Sequence, residues 1–480
     1  MSTPSLTTTT FQPNNMNKPM VSVSGIRGLV NDSFSEELIR VWSRAFGFFC
    51  LANIKISPTD YSIVIGRDTR QSGTWAEKII AEELLKFNIQ PIFLGIVPTP
   101  TVELAVTHHH ANGGIIITAS HNPIEWNGLK FLGSDGVFLN ANEIEILKQL
   151  LLNKKPELSS KQQVSTLQDT EAIARHIEKI LSTLPINVEI IRAKKFKVVL
   201  DPVNGAGALA VPLLLEKLGC EIITVHGEPT GIFGHNPEPR PENLTDLSNK
   251  VKEIGAVIGF AVDPDADRLA LIDETGVAIS EEYTLAIAVL SAMRNFSNSN
   301  TILKNNIVVN LSTSRMIDDV AKLFNAKVIR SAVGEINVVK SMRENKAYIG
   351  GEGNGGVIFP SCHEGRDSLV GIAMILDLLA NKKEKLSEIV DSLPKYNMTK
   401  DKFPRPENFD VEKLKLIMEK DFPDTVFSTI DGLRMDTDNG WTHIRPSNTE
   451  PIIRIITEAK TENDYQSLFS TAKKALEQLK

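Results

Sequence analysis

The sequence predicts an α/β protein with three similar domains, built on mixed or parallel sheets, and a smaller C-terminal α+β domain around a central cleft. First, the pattern strand, polar turn, helix, strand occurs three times. Second, each occurrence is followed by another short apolar strand that ends in a polar loop. Third, residues 394–480 lack this pattern. Because ligands bind beyond the carboxyl ends of strands in such sheets, the polar loops are the candidate site.

Chain length agrees with this organisation. A chain of 480 residues corresponds to about three domains and allows four. The predicted domains cover residues 20–163, 164–278, 279–393 and 394–480. Residues 1–19 are rich in Thr, Ser, Asn and Pro and lack the apolar stretch of a signal peptide, so they are predicted to be a disordered tail.

Composition restricts the possible functions. The chain has 52 Lys and Arg against 59 Asp and Glu, a net charge of −7, which argues against a general nucleic-acid-binding surface. Cys50, Cys220 and Cys362 are too few and too far apart for a disulfide framework. No apolar run reaches the roughly 18 residues of a membrane span. We therefore expect a cytoplasmic protein with neither nucleic-acid nor membrane partners.

The first repeat carries a serine beside a histidine. Its predicted elements are a strand at 61–66, a helix at 74–87, and strands at 91–94 and 115–117. In the loop that follows, Ser120 is a candidate nucleophile with His121 next to it, and the turn amides would bind phosphate. The alternative is a polar turn in which the serine caps a helix. The chain contains no G-x-S-x-G elbow of a hydrolase.

The second repeat ends in an acidic loop. Its predicted elements are a strand at 196–200, a helix ending near residue 218, and strands at 221–225 and 257–262. Asp263, Asp265 and Asp267 alternate in the loop, and an all-oxygen ligand set suits Mg²⁺ or Ca²⁺ rather than zinc. An EF-hand would place Glu274 at its twelfth position, but Arg268 occupies the sixth, where the turn needs Gly. A solvated acidic turn is the other alternative.

The third repeat ends in a glycine-rich loop. Its predicted elements are a strand at 307–310, a helix ending near residue 324, and strands at 327–330 and 347–349. Residues 350–356 contain five glycines together with Glu352 and Asn354, whose carboxylate and amide are suitable partners for sugar hydroxyls. The alternative is a flexible turn. The loop does not match the G-x-G-x-x-G pattern of a dinucleotide site.

The C-terminal segment carries a loop with cations and hydroxyls. A proline-bearing stretch at 394–406 precedes a predicted helix at 411–420, strands at 427–435, 441–444 and 452–457, and a helix from about residue 462. The candidate residues are Arg445, Ser447, Asn448, Thr449 and Arg454. Two guanidinium groups and two hydroxyls suit a phosphate dianion. An exposed turn is the alternative.

The four loops occur as TASHNP at 118–123, DPDADR at 263–268, GEGNG at 351–355 and RPSNTEP at 445–451. In this order they resemble the α-D-phosphohexomutase family, which includes phosphoglucomutases, phosphomannomutases and phosphoglucosamine mutases. The segment SGIRG at 24–28 is similar to the N-terminal signature of that family. The resemblance extends from about residue 20 to the C-terminus and implies four domains around a deep cleft.

The resemblance implies a role for each loop. Ser120 would be carried as a phosphoserine whose phosphate completes Mg²⁺ coordination with Asp263, Asp265 and Asp267. Four residues match family positions that surround the phosphoryl group during transfer: Arg27, His121, Lys130 and Arg268. Glu352 and Asn354 match the sugar-specificity loop. The loop that holds the phosphate not being transferred is matched by Arg445, Ser447, Asn448, Thr449 and Arg454.

The implied reaction interconverts hexose 6-phosphate and hexose 1-phosphate through a bisphosphorylated sugar. It requires one Mg²⁺ per chain, phosphorylation of Ser120 and a sugar bisphosphate as activator, and the expected partners are small hexose phosphates. The chain would act as a monomer or homodimer. Similarity to the glucosamine-type branch favours glucosamine 6-phosphate, with phosphomannomutase/phosphoglucomutase as the alternative. A metal-dependent sugar phosphatase and a non-catalytic sugar-phosphate-binding protein are the other candidates.

Two positions depart from the family pattern. Gly356 stands where many members have a histidine, and His363 would compensate for it. Glu335 also replaces a common histidine and is expected to contact the sugar. The resemblance implies that these positions face the sugar. The departures therefore leave the identity of the hexose open, whereas the predicted type of reaction is unaffected.

Overall fold

The structure, a computed structural model, describes residues 19–52, 61–151, 164–296, 302–423, 425–447 and 452–479. The predicted tail at 1–19 lies outside this part of the chain, except for its last residue. Four β-sheets organise the described residues. None of the helices found in these ranges is long and apolar enough to cross a membrane.

The first sheet has seven strands in the order β1-β2-β6-β5-β3-β4-β7. Its strands are β1 (Met20–Ser22), β2 (Gly25–Leu29), β3 (Tyr61–Arg67), β4 (Ile89–Ile96), β5 (Gly113–Ile117), β6 (Trp126–Leu132) and β7 (Leu167–Gln168). The helices of this region are α1 (Glu36–Ala52), α2 (Gln71–Leu85), α3 (Thr99–His108) and α4 (Ala141–Leu150).

The second sheet has five strands in the order β12-β11-β10-β8-β9. They are β8 (Lys197–Asp201), β9 (Glu221–Thr224), β10 (Ile258–Val262), β11 (Leu269–Asp273) and β12 (Ala278–Ile279). The accompanying helices are α5 (Ala172–Thr183), α6 (Val188–Lys194), α7 (Gly207–Lys217) and α8 (Thr245–Ile254), with a short 3-10 helix at Pro241–Asn243.

The third sheet has four strands in the order β14-β13-β15-β16. They are β13 (Lys304–Asn310), β14 (Lys327–Ser331), β15 (Ala347–Glu352) and β16 (Gly356–Ile358). Its helices are α9 (Glu281–Phe296), α10 (Met316–Leu323), α11 (Glu335–Asn345), α12 (Ser368–Asn381) and α13 (Leu386–Ser392).

The fourth sheet is antiparallel throughout, in the order β17-β21-β20-β19-β18. Its strands are β17 (Asn397–Pro404), β18 (Val426–Ser428), β19 (Leu433–Asp436), β20 (Gly440–Pro446) and β21 (Ile452–Ala459). The helices α14 (Val411–Asp421) and α15 (Glu462–Glu477) complete this region, which has its own apolar core.

The first three sheets share one internal order, which confirms the predicted fold class. In each, two parallel strands flank a central parallel strand, and the fourth strand is antiparallel: β4-β3-β5-β6, β9-β8-β10-β11 and β14-β13-β15-β16. The loop between the last two strands of each set carries the candidate residues. The repeat in the sequence is therefore a repeat in topology.

Burial explains why these strands have continuous apolar sequences. Every residue of β5, β10 and β11 is buried, as expected for strands covered on both faces. One apolar core spans the second and third sheets, because α9 packs against α12 between them. Each fully buried aliphatic side chain, such as Ile372, contributes about 1.5–3 kcal/mol to folding. The second and third domains are therefore stabilised by one common core. This core also holds the loops of the two domains in fixed relative positions.

The C-terminal domain differs from the prediction in two elements. The predicted strand at 427–435 is two short strands, because the chain turns at Gly432, whose φ is +70°. The strand β17 falls in the proline-bearing stretch that was not predicted to be a strand. It lies at the edge of the sheet, where a strand tolerates proline, and no residue of it is fully buried.

Candidate active site

Ser120 lies in a buried turn just beyond β5. Its φ is +50°, a left-handed conformation that costs a non-glycine residue on the order of 1–3 kcal/mol. The amide of Ser120 donates to Thr118 Oγ1 at 2.8 Å, and Thr118 Oγ1 donates to Asp68 Oδ2 at 2.6 Å. These buried hydrogen bonds hold the turn in its unusual conformation, so the hydroxyl has a fixed direction.

Arg70 supports the same turn, although in the sequence it is one of several polar residues between the predicted strand at 61–66 and the predicted helix at 74–87. Its side chain is 1% exposed and pairs with Asp68 at 3.0 Å. Its guanidinium donates to four backbone carbonyls, those of Ser120, Asn122, Pro123 and Trp126. An arginine that uses its donors in this way acts on the geometry of the serine loop. The only signal for it in the sequence was its position directly after a buried strand.

The acidic loop after β10 meets the serine loop. Asp263, Asp265 and Asp267 are all fully buried. Ser120 Oγ donates to Asp263 Oδ2 at 2.9 Å. The other oxygen of Asp263 accepts from the amides of Asp267 and Arg268, each at 3.1 Å, which closes the loop into a compact turn. The predicted nucleophile and the predicted metal ligands are therefore in direct contact.

The chemistry of the acidic loop fits a hard divalent cation. One carboxylate oxygen from each aspartate lies within 4.8 Å of the others. Asp265 Oδ1 and Asp267 Oδ1 are buried without a hydrogen-bond partner, and leaving such atoms unsatisfied is costly. Burial, together with the charges of Asp267 and Asp265, raises the pKa of Asp263 well above its usual value. A cation among these oxygens relieves both costs, and oxygen-only ligands suit Mg²⁺.

Lys130 places a cation beside two of these carboxylates. Its ammonium, on β6, lies 2.7 Å from Asp265 Oδ2 and 3.4 Å from Asp267 Oδ2. Burial alone would lower the pKa of Lys130, but the two carboxylates outweigh it and raise that pKa. Lys130 therefore carries a positive charge at the junction of the first two loops.

Three further predicted residues surround Ser120. Arg27, on β2, donates to Asn122 Oδ1 at 2.8 Å. His121 Nδ1 lies 3.3 Å from Ser120 Oγ. Burial, with the positive charges of Arg268 and Arg27, lowers the pKa of His121 well below its ordinary value, so this imidazole is neutral at physiological pH. Arg268 Nε is buried without a hydrogen-bond partner and lies 3.8 Å from Asp267 Oδ1.

Arg366 joins the acidic loop to the predicted sugar-binding residues, and the sequence analysis gave it no role. It donates to Asp267 Oδ2 at 2.7 Å and to Glu352 Oε2 at 2.9 Å. Its Nε lies 3.1 Å from Glu335 Oε2, and its amide donates to Glu335 Oε1 at 2.7 Å. These carboxylates raise the pKa of Arg366 well above its ordinary value, although burial opposes them. Asp367, the next residue, caps α12 and so fixes the backbone of Arg366.

The glycine-rich loop packs on the acidic loop. Gly355 has a φ of +85°, and a Cβ on it would lie 2.2 Å from the carbonyl oxygen of Leu269, so only glycine fits. Glu352 also accepts from Asn310 and from the amide of Gly334, at 2.7 and 3.0 Å. Asn354 Oδ1 accepts from the amide of Gly356. Burial raises the pKa of Glu335 to about 8.

His363 is held between two carboxylates. Its ring nitrogens face Glu103 Oε2 at 3.2 Å and Asp367 Oδ2 at 2.9 Å, and its side chain is 7% exposed. Both nitrogens are thus occupied by carboxylates in a buried ion-pair network at the junction of α3 and the segment before α12. The histidine that many family members carry at position 356 has no replacement in these contacts.

The described part of the fourth loop contains Arg445, Ser447 and Arg454, whereas Asn448 and Thr449 lie outside the described residues. Arg445 and Arg454 are directly opposite each other on β20 and β21, so two guanidinium groups are placed side by side at this loop. Arg445 Nε donates to Asp431 Oδ2 at 3.1 Å. The same oxygen accepts from the amide of Val333, at 3.0 Å, which connects this domain to the third.

Sequence comparison gives the family of the chain. Four segments match the four domains described as phosphoglucomutase/phosphomannomutase: residues 19–157, 174–276 and 281–396 match the alpha/beta/alpha domains I to III, and 400–471 matches the C-terminal domain. The chain belongs to this family of α-D-phosphohexomutases. It is therefore a phosphohexomutase, an isomerase that acts as an intramolecular phosphotransferase, as predicted.

Curated relatives agree over nearly the whole length. The chain is 37% identical to the phosphoglucomutase/phosphomannomutase of Thermococcus kodakarensis, over 95% of this chain and 97% of the relative. It is 32% identical to the phosphoglucosamine/phosphogalactosamine mutase of Sulfurisphaera tokodaii, over 95% and 99%. It is 31% identical to a probable phosphoglucosamine mutase of Methanopyrus kandleri, over 93% and 95%.

Solved structures share the fold. A phosphoglucomutase/phosphomannomutase family protein from Burkholderia thailandensis superposes with a TM-score of 0.82 at 24% identity, covering 96% of this chain and 97% of that one. A putative phosphomannomutase from Thermus thermophilus gives a TM-score of 0.78 at 23% identity, covering 96% and 100%. The arrangement of the four domains is thus that of the family.

Proposed function

We propose that this phosphohexomutase interconverts hexose 6-phosphate and hexose 1-phosphate through a phosphoserine at Ser120. The hydrogen bond of 2.9 Å between Ser120 Oγ and Asp263 Oδ2 carries the proposal. It joins a conformationally fixed hydroxyl to the acidic loop, and phosphoryl transfer depends on such positioning and on charge neutralisation.

In the first half-reaction, phosphoserine gives its phosphoryl group to a free hydroxyl of the hexose monophosphate. The bond between Ser120 Oγ and phosphorus breaks, a bond from the sugar oxygen to phosphorus forms, and the proton of the sugar hydroxyl ends on Ser120 Oγ, so the products are a hexose bisphosphate and a free serine. After this intermediate has reoriented, Ser120 Oγ attacks the other phosphate. The result is an isomerised monophosphate and a regenerated phosphoserine, so the enzyme is ready for the next turnover. A sugar bisphosphate would phosphorylate Ser120 initially and so acts as activator.

The charge on the phosphoryl group has several partners in the cleft. Asp263, Asp265, Asp267 and the phosphorylated side chain of Ser120 are the residues proposed to hold one Mg²⁺, which when bound neutralises charge on the phosphoryl oxygens. Arg27 and Arg268 offer guanidinium donors beside His121, which their charges keep neutral. Lys130 adds an ammonium at the junction of the two loops.

The proton of the Ser120 hydroxyl needs an acceptor when the serine attacks. His121 suits this role, because it is neutral and its Nδ1 lies 3.3 Å from Ser120 Oγ. In the structure the single proton of this hydroxyl is donated to Asp263 Oδ2 at 2.9 Å, which orients the oxygen, so the O–H bond must rotate toward His121 before the proton is transferred. We therefore assign proton transfer to His121 and orientation to Asp263.

The phosphate that is not transferred is assigned to the fourth loop. Arg445 and Arg454 are directly opposite each other on two neighbouring strands, and guanidinium groups placed in this way can both donate to one phosphate dianion. Ser447 follows β20, and its amide donates to Ile452 at the other side of the loop. Asn448 and Thr449 complete the proposed set. Movement of this domain would let either end of the bisphosphate be held.

Glucosamine 6-phosphate is the leading substrate, and the names of two of the relatives above support it. Glu335, Glu352 and Asn354 are the proposed sugar-binding residues. Because Glu335 and Glu352 both contact Arg366, a sugar would meet a carboxylate–guanidinium network rather than an isolated carboxylate. The relative from Thermococcus kodakarensis supports mannose and glucose phosphates as the alternative.

Free thiols at Cys50, Cys220 and Cys362 support a cytoplasmic location.

Replacing the nucleophile tests the mechanism. Ser120→Ala should lower mutase turnover by on the order of 10⁶-fold, since a nucleophile that starts the reaction is removed. Intact mass spectrometry after incubation with sugar bisphosphate should detect one added phosphoryl group on the wild-type enzyme and none on the variant. Ser182→Ala, which changes an exposed serine, is the matched control. Full turnover by Ser120→Ala, or stoichiometric release of free phosphate by the wild type, contradicts the proposal.

Substrate choice is tested by comparing glucosamine, mannose and glucose 6-phosphates, each with the matching bisphosphate. The leading hypothesis expects the highest kcat/KM for glucosamine 6-phosphate. A higher value for mannose or glucose 6-phosphate would favour the alternative and leave the phosphoserine mechanism intact.

A further inference from the structure

Two histidines and an aspartate form a second cluster in the second domain, distinct from the acidic loop. Asp201 ends β8, and His226 and His235 lie on the segment that follows β9. His226 Nδ1 and His235 Nε2 both lie 3.1 Å from the same atom, Asp201 Oδ2. One ligand atom from each residue lies within 4.8 Å of the others. Nothing in the proposed reaction uses these side chains.

In each imidazole, the ring nitrogen that points away from Asp201, here called the outer nitrogen, already has a polar neighbour. His235 Nδ1 lies 2.7 Å from the backbone carbonyl of Asn236, which can only accept, so Nδ1 carries the proton. His226 Nε2 lies 3.3 Å from the carboxylate of Asp246. A hydrogen bond from the outer nitrogen to a carbonyl or carboxylate is the usual arrangement of histidines that bind a metal through the inner nitrogen.

The inner nitrogens are those that face Asp201, and neutral imidazoles leave unfavourable contacts between ring nitrogens and carboxylates. In neutral His235, Nε2 presents a lone pair to Asp201 Oδ2, which also bears lone pairs, so something positive must lie between them. His226 has a carboxylate at each ring nitrogen and can donate to only one of them when neutral. Two protons would solve this at the cost of two imidazolium rings whose centroids are 5.2 Å apart. A single divalent cation supplies the same charge at one point.

The two nitrogen–oxygen separations are compatible with a cation of the zinc type. With metal–ligand bonds of about 2.0–2.1 Å, two ligands of a tetrahedral Zn²⁺ lie about 3.3 Å apart. Both observed nitrogen–oxygen separations are 3.1 Å. Imidazole suits zinc better than Mg²⁺. We propose that Asp201, His226 and His235 bind a Zn²⁺-type transition-metal ion, with water as the remaining ligand.

Access from solvent is consistent with this site. The side chains of His226 and His235 are 20% and 16% exposed, whereas Asp201 is 1% exposed. The buried carboxylate is held by its second oxygen, which accepts from the amide of Val203 at 3.0 Å. A fixed buried ligand and two histidines at the surface allow an ion to enter without opening the core.

The ion would fix residues 226–236, here called the histidine strap, to the end of β8. The strap contacts the first domain at two points. Phe233 lies under the Arg70 guanidinium, 4.8 Å from its ring centroid, and Gly231 lies so close to Thr69 that a Cβ would be 2.0 Å from its carbonyl oxygen. Because Arg70 supports the Ser120 turn, metal binding would stabilise the surroundings of the serine loop while leaving its reacting atoms untouched.

The test measures metal binding rather than turnover. The full chain is stripped of metal, saturated with Mg²⁺ to fill the acidic loop, and titrated with Zn²⁺ by calorimetry. Wild type should bind one more equivalent of Zn²⁺ than His235→Gln or His226→Asn. His110→Gln, which changes an exposed histidine outside the cluster, should bind like the wild type. Absence of Zn²⁺ binding by the wild type, or equal binding by wild type and His235→Gln, overturns the proposal.

Hydrogen exchange locates the ion. Zn²⁺ should slow amide exchange within the histidine strap of the wild type and leave exchange in His235→Gln unchanged. Zn²⁺ uptake that leaves the strap of the wild type unprotected would mean that the ion binds elsewhere, and this also overturns the proposal. Neither readout depends on the identity of the hexose or on phosphorylation of Ser120.

Discussion

Arg366 Nη2 donates a hydrogen bond of 2.7 Å to Asp267 Oδ2, and this contact joins two loops of different domains. The same guanidinium binds Glu352 at 2.9 Å, so the acidic loop and the glycine-rich loop share one cation. Because a buried guanidinium is rigid and fully charged, it fixes the distance between the proposed metal ligands and the proposed sugar-binding residues. Phosphoryl transfer is sensitive to such distances.

Replacing this arginine should destabilise the fold more than replacing an exposed one. In Arg366→Gln, Glu335 and Glu352 lose the positive partner that they have in the described structure, and Asp267 keeps only the more distant Lys130 and Arg268, so we expect the free energy of unfolding to fall by about 3–5 kcal/mol. Arg343→Gln is the control, because that side chain is 42% exposed and its ion pairs contribute at most about 1 kcal/mol. Urea denaturation of both variants measures the difference. Equal losses would contradict the role assigned to Arg366.

Asp265→Asn should remove Mg²⁺ activation and turnover together. The substitution takes away one of three carboxylates and the partner of Lys130 while it keeps the shape of the side chain. We expect turnover to fall by about 10²-fold or more, the usual effect of removing one electrostatic group from a site. Asp391→Asn, whose side chain is 70% exposed, is the control. A Mg²⁺ titration of mutase activity checks the result, and a curve like that of the wild type would refute the metal assignment.

The sequence predicted those parts of the site whose residues lie close together in the chain, within a single loop. Ser120 and the three aspartates stand directly after apolar strands that the periodicity identifies. Parallel strands of one sheet end at the same edge, so local sequence was enough to propose that these loops carry chemistry. The meeting of Ser120 with Asp263 was implied by the family resemblance instead, because the two loops belong to different sheets and their contact depends on how the domains pack.

Arg70 and Arg366 were not predicted because their partners are distant in the chain. Arg366 is 99 residues from Asp267, and Arg70 is 50 residues from Ser120. A buried arginine has no local pattern that separates it from an exposed one, since the burial is created by segments that are distant in the chain. His363 illustrates the same limit: its position in the sequence suggested the sugar site, but its side chain is enclosed by Glu103 and Asp367.

The ion pairs of His363 should make stability fall at alkaline pH. Burial alone would lower the pKa of His363, but Asp367 and Glu103 raise it from 6.5 to about 10. Between these values the folded state binds more protons than the unfolded state. This contribution is therefore complete below pH 6.5 and is lost as the pH rises through 10, with a slope of at most about 1.4 kcal/mol per pH unit.

The measurement is the free energy of unfolding across this pH range for wild type, His363→Gln and His110→Gln. His363→Gln should weaken the pH dependence, and His110→Gln, which changes an exposed histidine, should not. A wild-type slope in His363→Gln would assign the pH dependence to other groups.

Arg70→Lys should impair turnover without impairing metal binding. A lysine cannot reproduce the fork that pairs with Asp68 and reaches four carbonyls, so the Ser120 turn loses its support. A displacement of Ser120 Oγ by about 1 Å would cost on the order of 10²-fold in kcat. Because Arg70 contacts none of the three aspartates in the described structure, KM and Mg²⁺ affinity should stay near wild-type values.

Arg192→Lys, at a 42% exposed position, is the matched control. A rise in KM or a loss of Mg²⁺ affinity in Arg70→Lys, with kcat unchanged, would show that Arg70 acts on the binding of the ligands and not on the position of the nucleophile.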